Sequence, residues 1–549
     1  MTKTWWKSSI VYQIYPRSFK DTTGNGIGDL YGIIEKLDYI QSLGVDIIWL
    51  CPVYESPNDD NGYDISDYRK ISEEFGGDVA FDQLLAEMHK RGLKLMMDLV
   101  ANHSSDEHPW FQQAKKGKDN PYHDYYIWKA GSPDTPPNNW QSVFNGSTWE
   151  WNAETEEYYL HLYTRKQPDL NWENPQLRKE IYAIIDFWFA KGVDGFRMDV
   201  ISLISKRTEY KDVPKDMSFI DVMEKVYANG PKIHTYLKEM NQEVLSKYDI
   251  VTVGEGPGVN LEHGPRYVSD QEKELNMVFH FDHLTLDFGP DGKYDPVPVD
   301  FIRFKAIFSQ WDEALGTTGW NSIFLGNHDF SRIVSRFGND GEYREKSAKL
   351  LATVLMTLKG TPYIYQGDEI GMTNVSHDHI DAYDDVETRN AWAAAEAAGK
   401  DMDQFLKAVH WQSRDNARTP LQWSDAKNAG FSQHTPWIPV NENYAQINVD
   451  AAEKDPNSIL HYYRKIIALR KAHPTLIYGE YKDLLPADPH LYCYKRWDQE
   501  DTFLVIHNFS DRPKNWKLTE ENHSLIQSNY SEVLATELSP WESRIYSLD

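Results

Sequence analysis

Eight short apolar runs limit how this chain can fold. They are Ile10 to Tyr15, Val45 to Cys51, Leu93 to Val100, Val193 to Val200, Ile250 to Glu255, Val278 to Phe281, Ser322 to Gly326 and Pro362 to Gln366. Continuous apolar runs of this length are typical of parallel strands buried on both faces. Amphipathic stretches separate them. Phe81, Leu84, Leu85 and Met88 recur at helical spacing. Asn174 followed by Pro175 reads as a helix start, Leu177, Ile181, Ile184, Ile185 and Trp188 as its buried stripe, and Gly192 as its end. Strand and helix alternating eight times predict an α/β fold, a (βα)8 barrel of TIM type. In such a barrel the active site lies at the carboxyl ends of the strands.

The pattern is interrupted twice. With 549 residues the chain is too long for one core. Residues 1–103 read as the first part of the barrel. Residues 104–173, rich in Trp, Tyr, Pro and Asn, are too long for a loop and predict an inserted domain after strand three. The barrel resumes over 174–478, with a smaller insertion at about 368–457 that holds a short alanine-rich helix, Ala391 to Ala398. From 479 to 549 short alternating segments such as Phe503-Leu504-Val505-Ile506 predict an antiparallel β-sandwich.

Charge narrows the function classes. A formal charge of −27 argues against nucleic acid or an anionic membrane as partner. The 13% aromatic content argues against disorder. Cys51 lies in an apolar run and reads as a buried free thiol; with Cys493 the only other cysteine, no disulfide is implied, which suits the cytoplasm. The amino terminus, Met1 to Lys7, lacks the apolar core of a signal peptide, and no run spans a membrane.

Polar clusters follow four of the apolar runs. Strand three ends in Asp98-Leu99-Val100-Ala101-Asn102-His103. Strand four carries Arg197 and Asp199, which share one side because side chains alternate. An arginine beside an aspartate favours the ionised, nucleophilic carboxylate. Strand five closes on Glu255, where burial would raise the pKa as a general acid requires. Strand seven ends in Asn327-His328-Asp329. Two carboxyl groups about 5 Å apart, one ionised and one protonated, make a retaining glycosidase.

These stretches resemble the four signature regions of the α-amylase superfamily, glycoside hydrolase family 13. Gln167-Pro168-Asp169-Leu170-Asn171-Trp172 resembles the extra region of the oligo-1,6-glucosidase and dextran glucosidase subgroup. The resemblance implies that Asp199 is the nucleophile, Glu255 the acid/base and Asp329 the transition-state stabiliser. It also implies sugar contacts from Asp60, Tyr63, His103, Phe144, Tyr163, Gln167, Arg197, His328 and Arg414, with Asp60 and Arg414 closing the pocket behind the non-reducing end. Val200 follows the nucleophile; in this family a valine there goes with α-1,6 bonds, because a β-branched side chain fills space an α-1,4-linked sugar needs. The expected activity is therefore an exo-acting retaining α-glucosidase on isomaltooligosaccharides, a monomer or weak dimer. The alternatives are an α-1,4 enzyme, a sucrose isomerase or transglucosylase, and, remotely, a non-catalytic scaffold. Two departures stand out. Gly256 follows Glu255 where relatives usually carry a larger residue such as Met, which should widen the next sugar subsite. Phe330-Ser331 follow Asp329 where relatives have a polar residue and proline.

Asp21, Thr23, Asn25, Ile27 and Asp29 resemble a calcium loop by their offsets. With only two carboxylates, and Gly32 where a full EF-hand has glutamate, a glycine-rich turn is the rival reading.

Overall fold

The computed structural model describes residues 3–518 and 522–548; Met1, Thr2, residues 519–521 and Asp549 lie outside the described residues. Each of the eight runs forms a strand: β1 Val11–Ile14, β2 Ile47–Leu50, β3 Lys94–Val100, β4 Gly195–Asp199, β5 Val251–Glu255, β6 Met277–Phe279, β7 Ser322–Ile323 and β8 Thr361–Tyr365. They pair in parallel in the order β6-β5-β4-β3-β2-β1-β8-β7. β7 is shorter than its apolar run, because the chain turns into the rim loop after Ile323. No ladder joins β6 to β7 among the described residues; the Ser322 hydroxyl closes that seam by donating to the Val278 carbonyl at 2.8 Å.

The helices obey their local signals. Asn174 caps the helix Pro175–Lys191 by accepting from the Gln176 and Leu177 amides, and Gly192 ends it with φ +109°. Its apolar stripe, including Ile181, Ile185 and Trp188, is fully buried against the sheet.

Between β3 and that helix lies a three-stranded antiparallel sheet of Trp128–Ala130, Glu157–Leu160 and Trp149–Asn152. After β8 come the helices Val386–Ala397 and Met402–Gln412 and the single turn Asp415–Arg418. The C-terminal region is a five-stranded antiparallel sheet (Glu480–Asp483, Leu491–Trp497, Thr502–Asn508, Ser543–Leu548 and His523–Ser528) with a two-stranded ribbon of Lys514–Asn515 and Glu537–Leu538. Side chains alternate across it: Tyr492, Tyr494, Phe503 and Val505 join the main core, while Cys493, Leu504 and Ile506 pack with Leu538 of the ribbon. Both cysteines are buried free thiols. No helix of the described residues is long and apolar enough to cross a membrane.

Candidate active site

The strand register puts Arg197 level with Asp98 on β3 and with Val253 on β5. Its guanidinium is buried and gathers three carboxylates. Nη1 lies 2.5 Å from Asp98 Oδ1 and 2.7 Å from Asp199 Oδ1, and Nη2 lies 2.7 Å from Glu255 Oε2. Asp98 is held in turn by the Trp49 indole, which donates at 2.8 Å to Oδ2. Asp199 and Glu255 therefore face one rim through one guanidinium, as barrel strands with inward alternation require.

The pKa directions differ from expectation at one residue. Burial pushes Glu255 up, with Arg197 pulling the other way. Burial also raises Asp199 well above the carboxylate range; Arg197 opposes this, and the Glu255 and Asp98 charges add to it. One positive charge is divided among three buried carboxylates, so Arg197 only partly offsets the burial of Asp199. Asp199 and Glu255 interact closely enough to titrate as a pair. Asp329 behaves oppositely. Burial alone would raise it, but His328, Arg418 and Arg414 hold it well below the ordinary range.

At Asp329, His328 Nε2 is 3.0 Å from Oδ2 and Arg418 Nη2 donates to Oδ1 at 2.7 Å. The Gln13 side-chain amide donates to His328 Nδ1 at 2.8 Å, which leaves the imidazole proton on Nε2, facing Asp329. Burial lowers the His328 pKa to about 3 and that of His103 to about 4, so both rings are neutral at neutral pH.

The remaining expected sugar contacts converge on the same rim. The rings of Tyr63 and His328 stack at 5.2 Å and 7°. Gln167 Nε2 donates to Asp60 Oδ2 at 3.2 Å, and His103 Nε2 lies 3.2 Å from the Tyr63 carbonyl. Tyr163 packs on His103 and on Phe144, at 5.2 and 5.5 Å between ring centres. Arg414 lies 4.7 Å above the Phe144 ring, and its Nη2 reaches Asp60 Oδ1 at 3.4 Å and Asp385 Oδ1 at 2.6 Å. Burial raises Asp60 to about 6, with Arg414 opposing. Asp60 and Arg414 thus meet, one from the loop after β2 and one from the insertion after β8.

Val200 sits directly above Asp199 with φ +35° and ψ +40°, a left-handed conformation that is costly for a β-branched residue. That turn aims its amide at Glu255 Oε2, 3.0 Å away. The expected widening at Gly256 is not found. A Cβ there would lie 2.8 Å from Val259 Cγ2 and 2.9 Å from Val278 Cγ2, so two valines already occupy the space a larger residue would take. Phe330 lies against Phe281, with Arg336 5.3 Å from its ring centre.

Three contributors escaped sequence reading. Arg418 shares the single turn Asp415–Arg418 and was detectable as the arginine four residues after Arg414. Asp385 is the cap of the helix Val386–Ala397, accepting from Glu387 and Thr388, and nothing in its neighbours marks it as Arg414's partner. Gln13 lies in the middle of an apolar strand, and that polar intrusion was its signal.

The candidate calcium loop is remote from this chemistry and closes on itself. Asp21 accepts from the Gly24 and Gly26 amides at 2.7 and 2.9 Å and from the Ser432 hydroxyl at 2.6 Å. Asp29 accepts from the Thr22 amide and hydroxyl at 2.7 and 2.8 Å while capping Gly32 at 2.8 Å. Asn25 Oδ1 takes the Ile27 amide at 2.8 Å. Thr23 spends its hydroxyl proton on Asp21. No group of three or more His, Cys, Asp or Glu among the described residues is arranged to hold a metal. This donor set fits a hydrogen-bonded turn better than a calcium ion.

Comparison with known proteins agrees with this geometry. The family model of the alpha-amylase catalytic domain matches residues 13–479. An oligo-1,6-glucosidase of Parageobacillus thermoglucosidasius is 53% identical over all of both chains. A trehalose-6-phosphate hydrolase of Escherichia coli K12 is 46% identical over 98% of each. Among solved structures, the isomaltulose synthase of Klebsiella sp. LX3 superposes over all of both chains with TM-score 0.97 at 45% identity.

Proposed function

Because the chain belongs to the α-amylase family of glycoside hydrolases, we propose that it is an exo-acting retaining α-glucosidase that releases terminal α-1,6-linked glucose from isomaltooligosaccharides. The observation that carries this is the pairing of Asp199 and Glu255 on one guanidinium; the contact between Asp60 and Arg414 supports a pocket closed behind the non-reducing end.

In this reading Glu255 is the protonated and Asp199 the ionised member of the pair, and Glu255 gives its proton to the glycosidic oxygen. Asp199 attacks the anomeric carbon and forms the covalent glucosyl ester. Glu255, now a carboxylate, takes a proton from water, which releases glucose. Its Oε2 is anchored by the Val200 amide, leaving the other oxygen for the leaving group. Asp329, held anionic by His328, Arg418 and Arg414, binds sugar hydroxyls that tighten as the oxocarbenium character grows. Tyr63, stacked on His328, forms the wall against the glucose face. The Asp60–Arg414 bridge allows room for one glucose unit at the non-reducing end, which gives exo action.

The α-1,6 preference rests on Val200, and the 53% identical oligo-1,6-glucosidase supports it. We read the Asp21–Asp29 loop, closed by its own hydrogen bonds, as a turn rather than a calcium site. The buried free thiols suit a cytoplasmic enzyme; we read it as a monomer or weak dimer.

The test incubates the protein with isomaltose, maltose and sucrose separately and resolves the products by chromatography, with Asp199→Asn as control. Glucose from isomaltose, little from maltose and no sucrose isomer are expected, and the control should be inactive. Faster cleavage of maltose would overturn the linkage; a sucrose isomer as main product would overturn hydrolysis.

A further inference from the structure

A second concave site lies on the inserted domain, outside the catalytic pocket. It is a cleft of about 430 Å³, within the ~300–1,000 Å³ range of small-molecule sites. Its construction follows from the three-stranded sheet. Glu150 and Tyr159 are directly opposed across two strands, so both project from the same face. Tyr159 lies edge-to-face against Phe111, with ring centres 5.0 Å apart and planes at 69°, and this largely buried pair closes the base of the cleft. Around it stand Asp106, Lys115, Arg165 and Lys166.

The polar groups of this cleft are largely unspent. Lys166 pairs with Glu107 at 3.0 Å and lies 3.9 Å from Asp106. Among the described residues Glu150, Lys115 and Arg165 make no ion pair, although both signs of charge line one cleft of small volume. Asp106 Oδ1 is buried without a hydrogen-bond partner. A cleft with an aromatic base bordered by both acceptors and donors suits a neutral polyhydroxylated ring, whose adjacent hydroxyls both donate and accept. A simple anion would leave Glu150 and Asp106 opposed to it.

The cleft shares one turn with the catalytic pocket. Over residues 164–167, Gln167 faces Asp60, and Thr164 donates to Asp59 at 2.6 Å, while Arg165 and Lys166 face the cleft. The turn is tied down from the cleft side by the Tyr159 hydroxyl, which donates to the Arg165 carbonyl at 2.8 Å, and by the Asp106 amide, which donates to the Lys166 carbonyl at 2.8 Å.

We propose that this cleft is a second, non-catalytic binding site for neutral oligosaccharides of the kind the enzyme cleaves. The choice of ligand rests on the glucosidase reading above. Occupancy holds a chain beside the pocket rim and steadies the turn that carries Gln167.

The experiment blocks the catalytic pocket of the wild-type protein with saturating 1-deoxynojirimycin and follows isomaltotriose by saturation-transfer NMR. Residual isomaltotriose binding is expected, together with its loss in Lys115→Ala/Glu150→Ala. That variant should keep its turnover of p-nitrophenyl α-glucoside and show a several-fold higher KM for long isomaltooligosaccharides. The exposed Arg165→Ala substitution, expected to weaken the same signal, carries the test if the double variant fails to fold. No residual binding in the blocked wild type, or residual binding that survives both variants, would overturn the proposal. Failure of the glucosidase reading would register separately, as isomaltose left intact by the unblocked enzyme.

Discussion

Arg197 shows how one side chain organises a site. A buried guanidinium that touches only one carboxylate would lower that carboxylate's pKa; touching Asp98, Asp199 and Glu255 together, it leaves excess negative charge, and burial raises both Asp199 and Glu255. Asp329 shows the converse, with one carboxylate among His328, Arg414 and Arg418. Arg418 makes a fork that lysine cannot copy: Nε donates to the His328 carbonyl at 3.0 Å and Nη2 to Asp329 at 2.7 Å. We expect Arg418→Lys to lower kcat/KM on isomaltose by roughly 10- to 100-fold, chiefly through kcat, since in the proposed mechanism Asp329 acts in the transition state. Steady-state kinetics check this, and a change confined to KM would show that Arg418 contributes to ground-state binding instead. At Val200 the strained turn and the proposed determinant of linkage reside in one residue. Val200→Thr keeps the branching, so the Glu255 contact should persist while the added hydroxyl moves the maltose-to-isomaltose rate ratio upward; an unchanged ratio would remove Val200 from specificity.

At the scale of elements, the inserted domain must be fixed against the barrel before Gln167, Tyr163 and Phe144 can meet the residues of β3 and β4. Lys206, on the segment after β4, does this. Its buried ammonium lies 2.7 Å from Asp169 of the inserted domain and donates at 2.8 Å to Asn102 at the end of β3. Asp169 also takes the Leu162 amide at 3.0 Å. Removing one partner of a buried pair costs about 3–5 kcal/mol, because the other charge is left uncompensated. Lys206→Met should therefore lower the melting temperature by several degrees and raise KM. In Lys206→Met/Asp169→Asn much of the lost stability should return; calorimetry on both variants decides it. The Asp21–Asp29 loop makes a complementary prediction. Its carboxylates are already saturated by amides and hydroxyls, so EDTA should leave the melting temperature unchanged. A fall restored by calcium would show a bound ion.

Over the whole molecule, two sets of buried groups oppose one another in acid. His103, His108, His280, His328 and His507 are lowered by burial, to about 4 for the first and about 3 for the rest. The unfolded chain binds their protons more readily, so the stability they confer is complete above about pH 6.5 and falls as the pH drops toward 3. Burial raises Asp60, Asp64 and Asp415 to about 6 and Asp368 to about 7. Here the folded state binds protons more readily, so stability is gained as the pH falls from about 7 toward 3.8. The two trends offset between about pH 6.5 and 4. Below that only losses remain, including those of Asp329 and Asp385, which are held well below the ordinary range by neighbouring cations despite their burial. We expect a nearly level melting temperature from pH 6.5 to 4 and a steep fall beneath it, measured by calorimetry; a steady decline from pH 6.5 would mean that the histidines dominate.

The barrel was legible because its information is local. Each strand is a continuous apolar run, each helix has its own cap and stripe, and Asp98, Asp199, Glu255 and Asp329 follow runs whose alternation can be counted along the chain. Even β7, which ends after Ile323, was found in position though not in length. What the sequence did not contain was the sum of forces from chain-distant groups. Asp385 reaches Arg414 from a helix cap, Gln13 reaches His328 across 315 residues, and Val259 and Val278 fill the space beside Gly256 that seemed open. The pKa of Asp199 followed the same rule. One neighbour in sequence predicted a lowered value, but burial and two further carboxylates, which only tertiary packing assembles, raise it.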